Sequence, residues 1–500
     1  MIQPVFEKIN FFKGLGKLKD QIKVQIKTEI PVDQVSSVLF VWAIANATDA
    51  LSDGKVDYSG KTAFNFGYLS HDKTVQKHEC FTDFSGTITE NQVTDSCRCA
   101  IDVIVEKTEA DLSGAFVTLT AHLLVTAEIS ACESVNALIG GEQMVVSTAE
   151  MDIEKSLGVK KTSYPVEEEF ELSYPVKEVL FHRASAVITT AQSGVGCIIV
   201  DGQVLLSLVL LQNNDKNDII KEDRVFPFRM EIECEDAMPN MLAQARVKER
   251  SHKTDVSVDL DQNKSTVSIS VNLTFEGEVF STLSLPVAVD AFSLKNHLQM
   301  EKSGVPVQKA CEIRSHSITV KGGVEVNELP VGALVVAVSG ERVTVVSEEC
   351  LDGAIKVVGL VSAIALIKDG EKTFSRKLEI PFDVKLDGGY DCSMTESACA
   401  KVGACSAKIT SLTEMQLEAQ IFFTVYPSVK SAISVIKSAV EGQLKEQNDS
   451  AITVYIPEQG EQLWSLAKRL NVSPETLINT NQDLQFPLSG KERIVVYRQI

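Results

Sequence analysis

The stretch VSISVNLTFEGEVF, residues 267–280, decides the fold class of this chain. Its apolar side chains alternate with polar ones, which is the pattern of a half-buried β-strand. Two further stretches have the same character, FVTLTAHLLVTAEI at 116–129 and MQLEAQIFFTVY at 415–426. They are rich in β-branched and aromatic side chains, which fit a pleated sheet. The sequence therefore predicts a mainly β protein.

These three strands belong to a unit that occurs three times. Each copy has a Pro-Val step, a glycine, a phenylalanine and a closing segment in the same order, and adjacent copies lie about 140–155 residues apart. This spacing is far longer than a solenoid repeat, so each copy is predicted to be a domain with its own core. The Pro-Val steps begin at Pro31, Pro175 and Pro330, the glycines are Gly60, Gly202 and Gly353, the phenylalanines are Phe84, Phe228 and Phe382, and the closing segments lie near Ala137, Ala291 and Ala432.

Turn signals such as Asp201-Gly202 and Asp387-Gly388-Gly389 separate the predicted strands. Many short strands at regular spacing are typical of antiparallel β-sandwiches or open barrels. We therefore predict three tandem antiparallel β-sandwich-like repeats followed by a small βααβ module. The predicted boundaries are an N-terminal segment at 1–27, repeats at 28–145, 170–300 and 325–436, a linker at 437–450 and the module at 451–500.

The N-terminal segment interleaves lysines with apolar residues, for example Lys8, Phe11 and Leu15. That pattern leaves two interpretations open. One is a helix that docks on a membrane surface or a partner. The other, which we favour, is a plain packing or frayed segment, because Gly14 and Gly16 weaken any helix there.

The last fifty residues predict strand, helix, helix and strand. Leu463, Leu466 and Leu470 recur at helical spacing, so Leu466 and Leu470 are expected in the core. Ser473-Pro474 is a strong start for the second helix, with an N-cap serine followed by proline at the first helical position. Leu477 and Ile478 are expected on the buried side of that helix.

This segment resembles a LysM module, through the Gly460 loop, Leu463-Trp464, Ser473, Leu477, Asn481, Gly490 and Ile494. LysM modules are binding units, most often for N-acetylglucosamine-containing glycans, and have no catalytic group. The resemblance implies a groove formed by two loops. The candidate ligand- or partner-binding residues are Gly460, Glu461, Gln462, Leu463, Asn481, Gln482, Asp483 and Leu484.

The three repeats resemble SPOCS domains, most clearly at the closing motif Asp290-Ala291-Phe292-Ser293. Several SPOCS copies followed by one LysM module resemble the SPOCS and LysM sporulation proteins of Clostridia. The resemblance covers about residues 25–500. It implies a non-enzymatic scaffold in the mother-cell cytoplasm, at the forespore surface, that helps assemble or anchor the spore coat with a spore-coat morphogenetic ATPase or other coat proteins as partners.

A glycan-binding role through the LysM-like module is the alternative. The family pattern in the two loops is Gly-Asp-Thr-Leu and Asn-Pro. This chain has Glu461 and Gln462 in the first loop and Gln482 in the second, which favours a protein partner over a glycan.

The composition and the motif content limit the classes of partner and of functional site that we expect. A formal charge of −20 repels phosphate backbones, so nucleic acid is not an expected partner. We expect no signal peptide, no membrane span and no cofactor, and we expect the 11 scattered cysteines to be reduced. The sequence has no phosphate-binding loop, no His-Glu-x-x-His motif and no nucleophile elbow, so we expect no catalytic or metal site.

Overall fold

The computed structural model describes residues 2–214, 217–259, 263–370, 372–391, 394–395, 398–446 and 451–497. These residues form 23 strands and two α-helices, and both helices lie in the C-terminal module. The prediction of a mainly β protein is therefore confirmed. The strands before the module fall into three groups, called units one, two and three below.

Unit one contains two three-stranded antiparallel sheets. Its strands are β1 (Gln3–Pro31), β2 (Val35–Ser52), β3 (Lys55–Ser70), β4 (Val75–Thr89), β5 (Arg98–Asp111) and β6 (Phe116–Glu142). The sheet orders are β1-β6-β5 and β2-β3-β4. Both sheets contribute to one buried cluster, with Leu119 from β6 and Phe64 from β3. The unit is therefore sandwich-like, because each sheet buries one face against the other.

Unit two has the same connectivity. Its strands are β7 (Val145–Leu172), β8 (Val176–Ser193), β9 (Cys197–Gln212), β10 (Ile219–Glu233), β11 (Leu242–Asp259) and β12 (Lys264–Phe292). The sheet orders are β11-β12-β7 and β10-β9-β8, which match those of unit one strand for strand. The fold-deciding stretch 267–280 lies in β12, the central strand of its sheet.

Unit three repeats the pattern with its two longest strands broken. Its strands are β13 (Asn296–Ala310), β14 (Arg314–Glu325), β15 (Leu334–Leu351), β16 (Ala354–Asp369), β17 (Lys372–Asp387), β18 (Met394–Thr395), β19 (Ala398–Ser411), β20 (Glu414–Val425) and β21 (Ser428–Leu444). The sheet orders are β14-β20-β19, β15-β16-β17 and β13-β21-β18. One break falls at Pro427, which has no N–H for a ladder bond.

A glycine and a phenylalanine face each other across strands at the same place in every unit. The cross-strand pairs are Gly60 with Phe84, Gly202 with Phe228 and Gly359 with Phe382. At Gly202 an added Cβ would lie 2.3 Å from Cζ of Phe228, so the ring occupies the space that a side chain would need. The prediction of Gly353 as the third glycine is wrong. Gly353 has φ +77° and lies in the turn before β16.

The three units are joined by two buried clusters, and each unit contributes residues to both. One cluster joins Phe40 of β2 and Phe181 of β8, whose rings lie 5.6 Å apart, with Ala337 of β15. The other joins Ala137, Val287 and Val435 from β6, β12 and β21. Of the predicted closing residues, Ala291 lies in a neighbouring buried cluster with Leu138 and Ile436.

Two predicted segments outside the repeats are strands. Residues 3–27 belong to β1, which pairs with β6 along its length, so neither a helix nor a frayed segment is present there. Residues 437–444 continue β21, and Val435 and Ile436 within this strand are fully buried. Residues 437–444 are not a linker, because their backbone groups pair with β13. Lys445 and Glu446 follow β21, and residues 447–450 of the predicted linker lie outside the described residues.

Candidate binding site of the C-terminal module

The C-terminal module has the predicted strand–helix–helix–strand order. Its elements are β22 (Ile452–Tyr455), α1 (Leu463–Leu470), α2 (Pro474–Thr480) and β23 (Ile494–Tyr497), and the two strands pair antiparallel. Helix α2 begins as expected, since Oγ of Ser473 accepts a bond from the N–H of Thr476 (3.1 Å) and Pro474 takes the first helical position. Helix α1 ends at Asn471, which adopts a left-handed conformation.

The module has a small apolar core. The prediction for Leu466 and Leu470 is confirmed, since both are buried beside Ile494 and Val496 of β23. Of the two residues expected on the buried side of α2, Leu477 is buried, but Ile478 is 44% exposed. A core of this size stabilises only a marginal fold, so each buried leucine contributes a large share of the stability.

The first predicted loop is fixed by its neighbours. The N–H of Gly460 donates to the carbonyl of Leu488 (2.7 Å), and the N–H of Leu488 donates to the carbonyl of Glu461 (3.0 Å). The Glu461 carboxylate pairs with Arg469 and accepts a bond from the N–H of Glu458 (3.2 Å). Both carboxylate oxygens of Glu461 are therefore engaged within the module.

Asn481 holds the second predicted loop. Its side-chain amide donates to the carbonyls of Leu477 (3.0 Å) and Val495 (2.8 Å), and its Oδ1 accepts from the N–H of Val495 (2.7 Å). These bonds tie the end of α2 to β23. Asn481 is therefore a structural residue, and its side chain is not free to bind a ligand.

The eight candidate residues divide into two groups. Gly460, Gln462, Gln482 and Asp483 are exposed. The half-buried residues are Glu461 and Asn481, with the bonds described above, and Leu463 and Leu484, which pack on the core. In the exposed group, the side chains of Gln462, Gln482 and Asp483 present polar atoms to a partner.

A contact that the sequence analysis missed fixes the module against unit two. The indole N–H of Trp464 donates to Oδ2 of Asp290 (2.8 Å), and Nζ of Lys468 lies 2.8 and 2.7 Å from the two oxygens of that carboxylate. The rings of Trp464 and Phe292 meet edge to face, with centroids 5.3 Å apart. The Asp-Ala-Phe-Ser motif and Trp464 are both visible in the sequence, but nothing in it shows that they meet.

Three further bonds extend this contact. Nζ of Lys445 donates to the carbonyl of Ser293 (2.6 Å) and to Oδ1 of Asn471 (2.7 Å), and the Asn471 amide donates to the carbonyl of Leu294. Burial alone would raise the pKa of Asp290, but the bonds from Lys468 and Trp464 hold that pKa below its ordinary value. The carboxylate is therefore charged when the module is docked.

Among the described residues there is no group of three or more His, Cys, Asp or Glu side chains that is arranged to hold a metal ion. No helix in the described part of the chain is long and apolar enough to cross a membrane. Cys97 and Cys99 are free thiols.

Comparisons with known proteins add no relative. No protein-family description, curated protein or solved structure matches this chain.

Proposed function

We propose that this chain is a non-enzymatic scaffold of sporulation. In this proposal it lies in the mother-cell cytoplasm, at the forespore surface, and helps assemble or anchor the spore coat through protein–protein contacts. The proposal comes from the resemblance of the repeats to SPOCS domains and of the module to LysM. The expected partners are a spore-coat morphogenetic ATPase or other coat proteins.

The observation that carries the proposal is the contact that holds the module against the end of β12. Trp464, Lys468 and Phe292 join the module to the end of β12, and β12 itself contributes Val287 to a core that all three units share. A surface on the module therefore has a defined position relative to the whole body. Such an arrangement suits a protein that sets the distance between two partners.

Buried charges also tie units two and three together. Nε of Arg183 lies 3.4 Å from Oε2 of Glu341, and Nζ of Lys221 lies 2.6 Å from the other oxygen. Burial alone would raise the pKa of Glu341, but these two cations lower it. Removing one partner of a buried pair leaves an unpaired charge and costs about 3–5 kcal/mol. This interface therefore depends on the presence of all three charged side chains.

The alternative is binding of an N-acetylglucosamine-containing glycan by the module. The exposed Gln462, Gln482 and Asp483 are the side chains that would contact a sugar in a LysM-like groove. Engagement of Glu461 by Arg469 and of Asn481 by Val495 removes two of the polar side chains from that groove. For this reason we favour a protein partner.

The test is affinity purification of the full chain from sporulating cells, beside a variant carrying Gln462→Ala, Gln482→Ala and Asp483→Ala. These residues are exposed, so the variant should fold normally. We expect coat proteins to co-purify with the wild-type chain. Recovery of wall fragments without coat proteins, lost in the triple variant, would replace the scaffold with the glycan-binding alternative.

A further inference from the structure

One face of the two-stranded sheet in the module carries apolar side chains that are exposed to solvent. In β22 and just beyond it, Ile452, Val454 and Ile456 are 58%, 59% and 66% exposed, and Tyr497 of β23 is 59% exposed. Side chains alternate between the two faces of a strand. The other face, with Tyr455, Ile494 and Val496, packs on the helices.

The register places Ile452, Val454 and Tyr497 on one face of the sheet, and Ile456 directly follows β22. Ile452 pairs with Tyr497, and Val454 pairs with the partly buried Val495. Cross-strand neighbours on one face have Cβ atoms about 5 Å apart, so the side chains form one continuous patch. We call it the outer sheet face. Exposed apolar residues that occur singly need no explanation, but a contiguous exposed apolar patch is a candidate interaction site.

The dimensions of the outer sheet face indicate what covers it. Two strands about 4.8 Å apart make a surface about 10 Å wide, which is the diameter of an α-helix. Four paired residues extend about 13 Å, or about two and a half helical turns. A second copy of the chain would need about 800 Å² per partner for a stable dimer, and four side chains offer less.

The charge beside the outer sheet face indicates the chemistry of the partner's surface. Arg493 is exposed and immediately precedes Ile494, which pairs with Tyr455 at the end of the sheet where Ile456 follows β22. One cation at the end of an apolar patch favours a partner with a carboxylate at that end. A lipid surface fits poorly, because the chain as a whole has a formal charge of −20 and anionic membranes repel it.

We propose that the outer sheet face binds an amphipathic α-helix of a protein partner. This helix presents apolar side chains at positions i, i+3, i+4 and i+7 and an acidic residue opposite Arg493. The proposal deepens the proposed function, since it rests on the module having a protein partner. It adds a surface separate from the two loops and a chemical class of ligand.

The test is fluorescence anisotropy of a labelled synthetic peptide titrated with the full chain. The probe has leucines at i, i+3, i+4 and i+7, one glutamate placed to meet Arg493 and glutamines elsewhere, and the comparison peptides are a scrambled sequence and a version with lysine in place of the glutamate. We expect the acidic amphipathic peptide to bind and the scrambled peptide not to bind. Equal binding of both would overturn the proposal.

Three variants locate the binding. Val454→Lys should weaken binding by about tenfold or more, since it puts a charge in the apolar patch. Arg493→Glu should weaken it about two- to fivefold and strengthen binding of the lysine peptide. Ile478→Lys is the matched control, because Ile478 is also an exposed apolar residue of this module but lies on α2, and it should change nothing. Unchanged thermal unfolding of each variant shows that it is folded.

Other outcomes are distinguishable. A dimer seen by light scattering and lost in Val454→Lys would assign the face to a second copy. Binding to anionic vesicles that is lost in the same variant, without peptide binding, would assign it to a membrane. If no peptide binds although coat proteins are still captured, the surface is wrong and the proposed function stands. If only wall fragments are captured, the proposed function fails.

Discussion

The contact between Asp290 and the C-terminal module leads to the most specific prediction. Asp290→Ala removes the acceptor of the Trp464 indole N–H and the ion partner of Lys468. A bond to a charged acceptor contributes about 1.5–3 kcal/mol, and a partly exposed ion pair adds at most about 1 kcal/mol. Because this site is only half-buried, we expect a loss of about 2 kcal/mol. The population of undocked module then rises about thirtyfold.

Hydrogen–deuterium exchange measures this change directly. In the Asp290→Ala variant, the segment at the end of β12 and helix α1 should lose protection, while the core strands of unit one keep theirs. The matched control is Asp255→Ala, because Asp255 pairs with Lys253 at 2.6 Å but is mostly exposed, so its loss should cost little. Equal exchange in the two variants would refute the proposed role of Asp290.

The pKa of Asp290 gives the same contact a pH dependence. Because this pKa lies below its ordinary value in the docked state, the contribution is fully present above about pH 4. It is lost as the pH falls through the docked-state pKa. At a pH below the docked-state pKa, the protection factors of α1 in the wild-type chain should therefore fall to those of Asp290→Ala at pH 7.

Three further predictions follow from individual contacts. Gly202→Ala should lower the free energy of unfolding by about 1–3 kcal/mol or more, because the new Cβ meets Phe228, whereas Gly304→Ala, with open space around it, should cost nothing; chemical denaturation compares the two. Asn481→Ala should destabilise the module by about 1–3 kcal/mol, since it leaves backbone groups of β23 unpaired, and a loss of binding without a loss of thermal stability would contradict this. Burial and the neighbouring His182 lower the pKa of His252 to about 4, so stability should fall as the pH drops from about 6.5 to 4 by about 2–3 kcal/mol; a His252→Gln variant with the same pH slope would argue against this.

Periodicity in the sequence predicted most of the fold. The alternation in 267–280 and its two counterparts identifies the central strand of an equivalent sheet in each unit, because a half-buried strand must place apolar side chains on one face. The helices of the module were predicted for a similar reason, since α1 repeats leucines at helical spacing and α2 has a strong N-cap at Ser473. Local patterns of this kind need no knowledge of distant contacts.

The errors arose where a distant partner decides the structure. Residues 3–27 contain glycines and lysines and look irregular, but β6 supplies a long antiparallel partner for them. The segment 437–444 looks polar, but it pairs with β13 and carries on from the buried Val435 and Ile436. Neither partner is visible in a local window of sequence, because the paired residues lie about ninety or more positions apart.

The candidate site was predicted only in part. The loops at 460–463 and 481–484 flank the helices as expected, and four of the eight residues are exposed. The internal bonds of Glu461 and Asn481 depend on Arg469 and on the backbone of Val495, so residue type alone does not distinguish a ligand-binding side chain from a structural one. The docking of Trp464 on Asp290 is likewise a tertiary contact between residues 174 positions apart.

The most direct test of the scaffold function is microscopy of the spore coat in sporulating cells that lack this chain. A fluorescent coat protein reports where the coat assembles, and re-expression of the wild-type chain serves as the control. The account predicts that, without the chain, coat material collects in the mother-cell cytoplasm away from the forespore and that re-expression restores it to the forespore surface. A coat that surrounds the forespore normally in the absence of the chain would contradict the account.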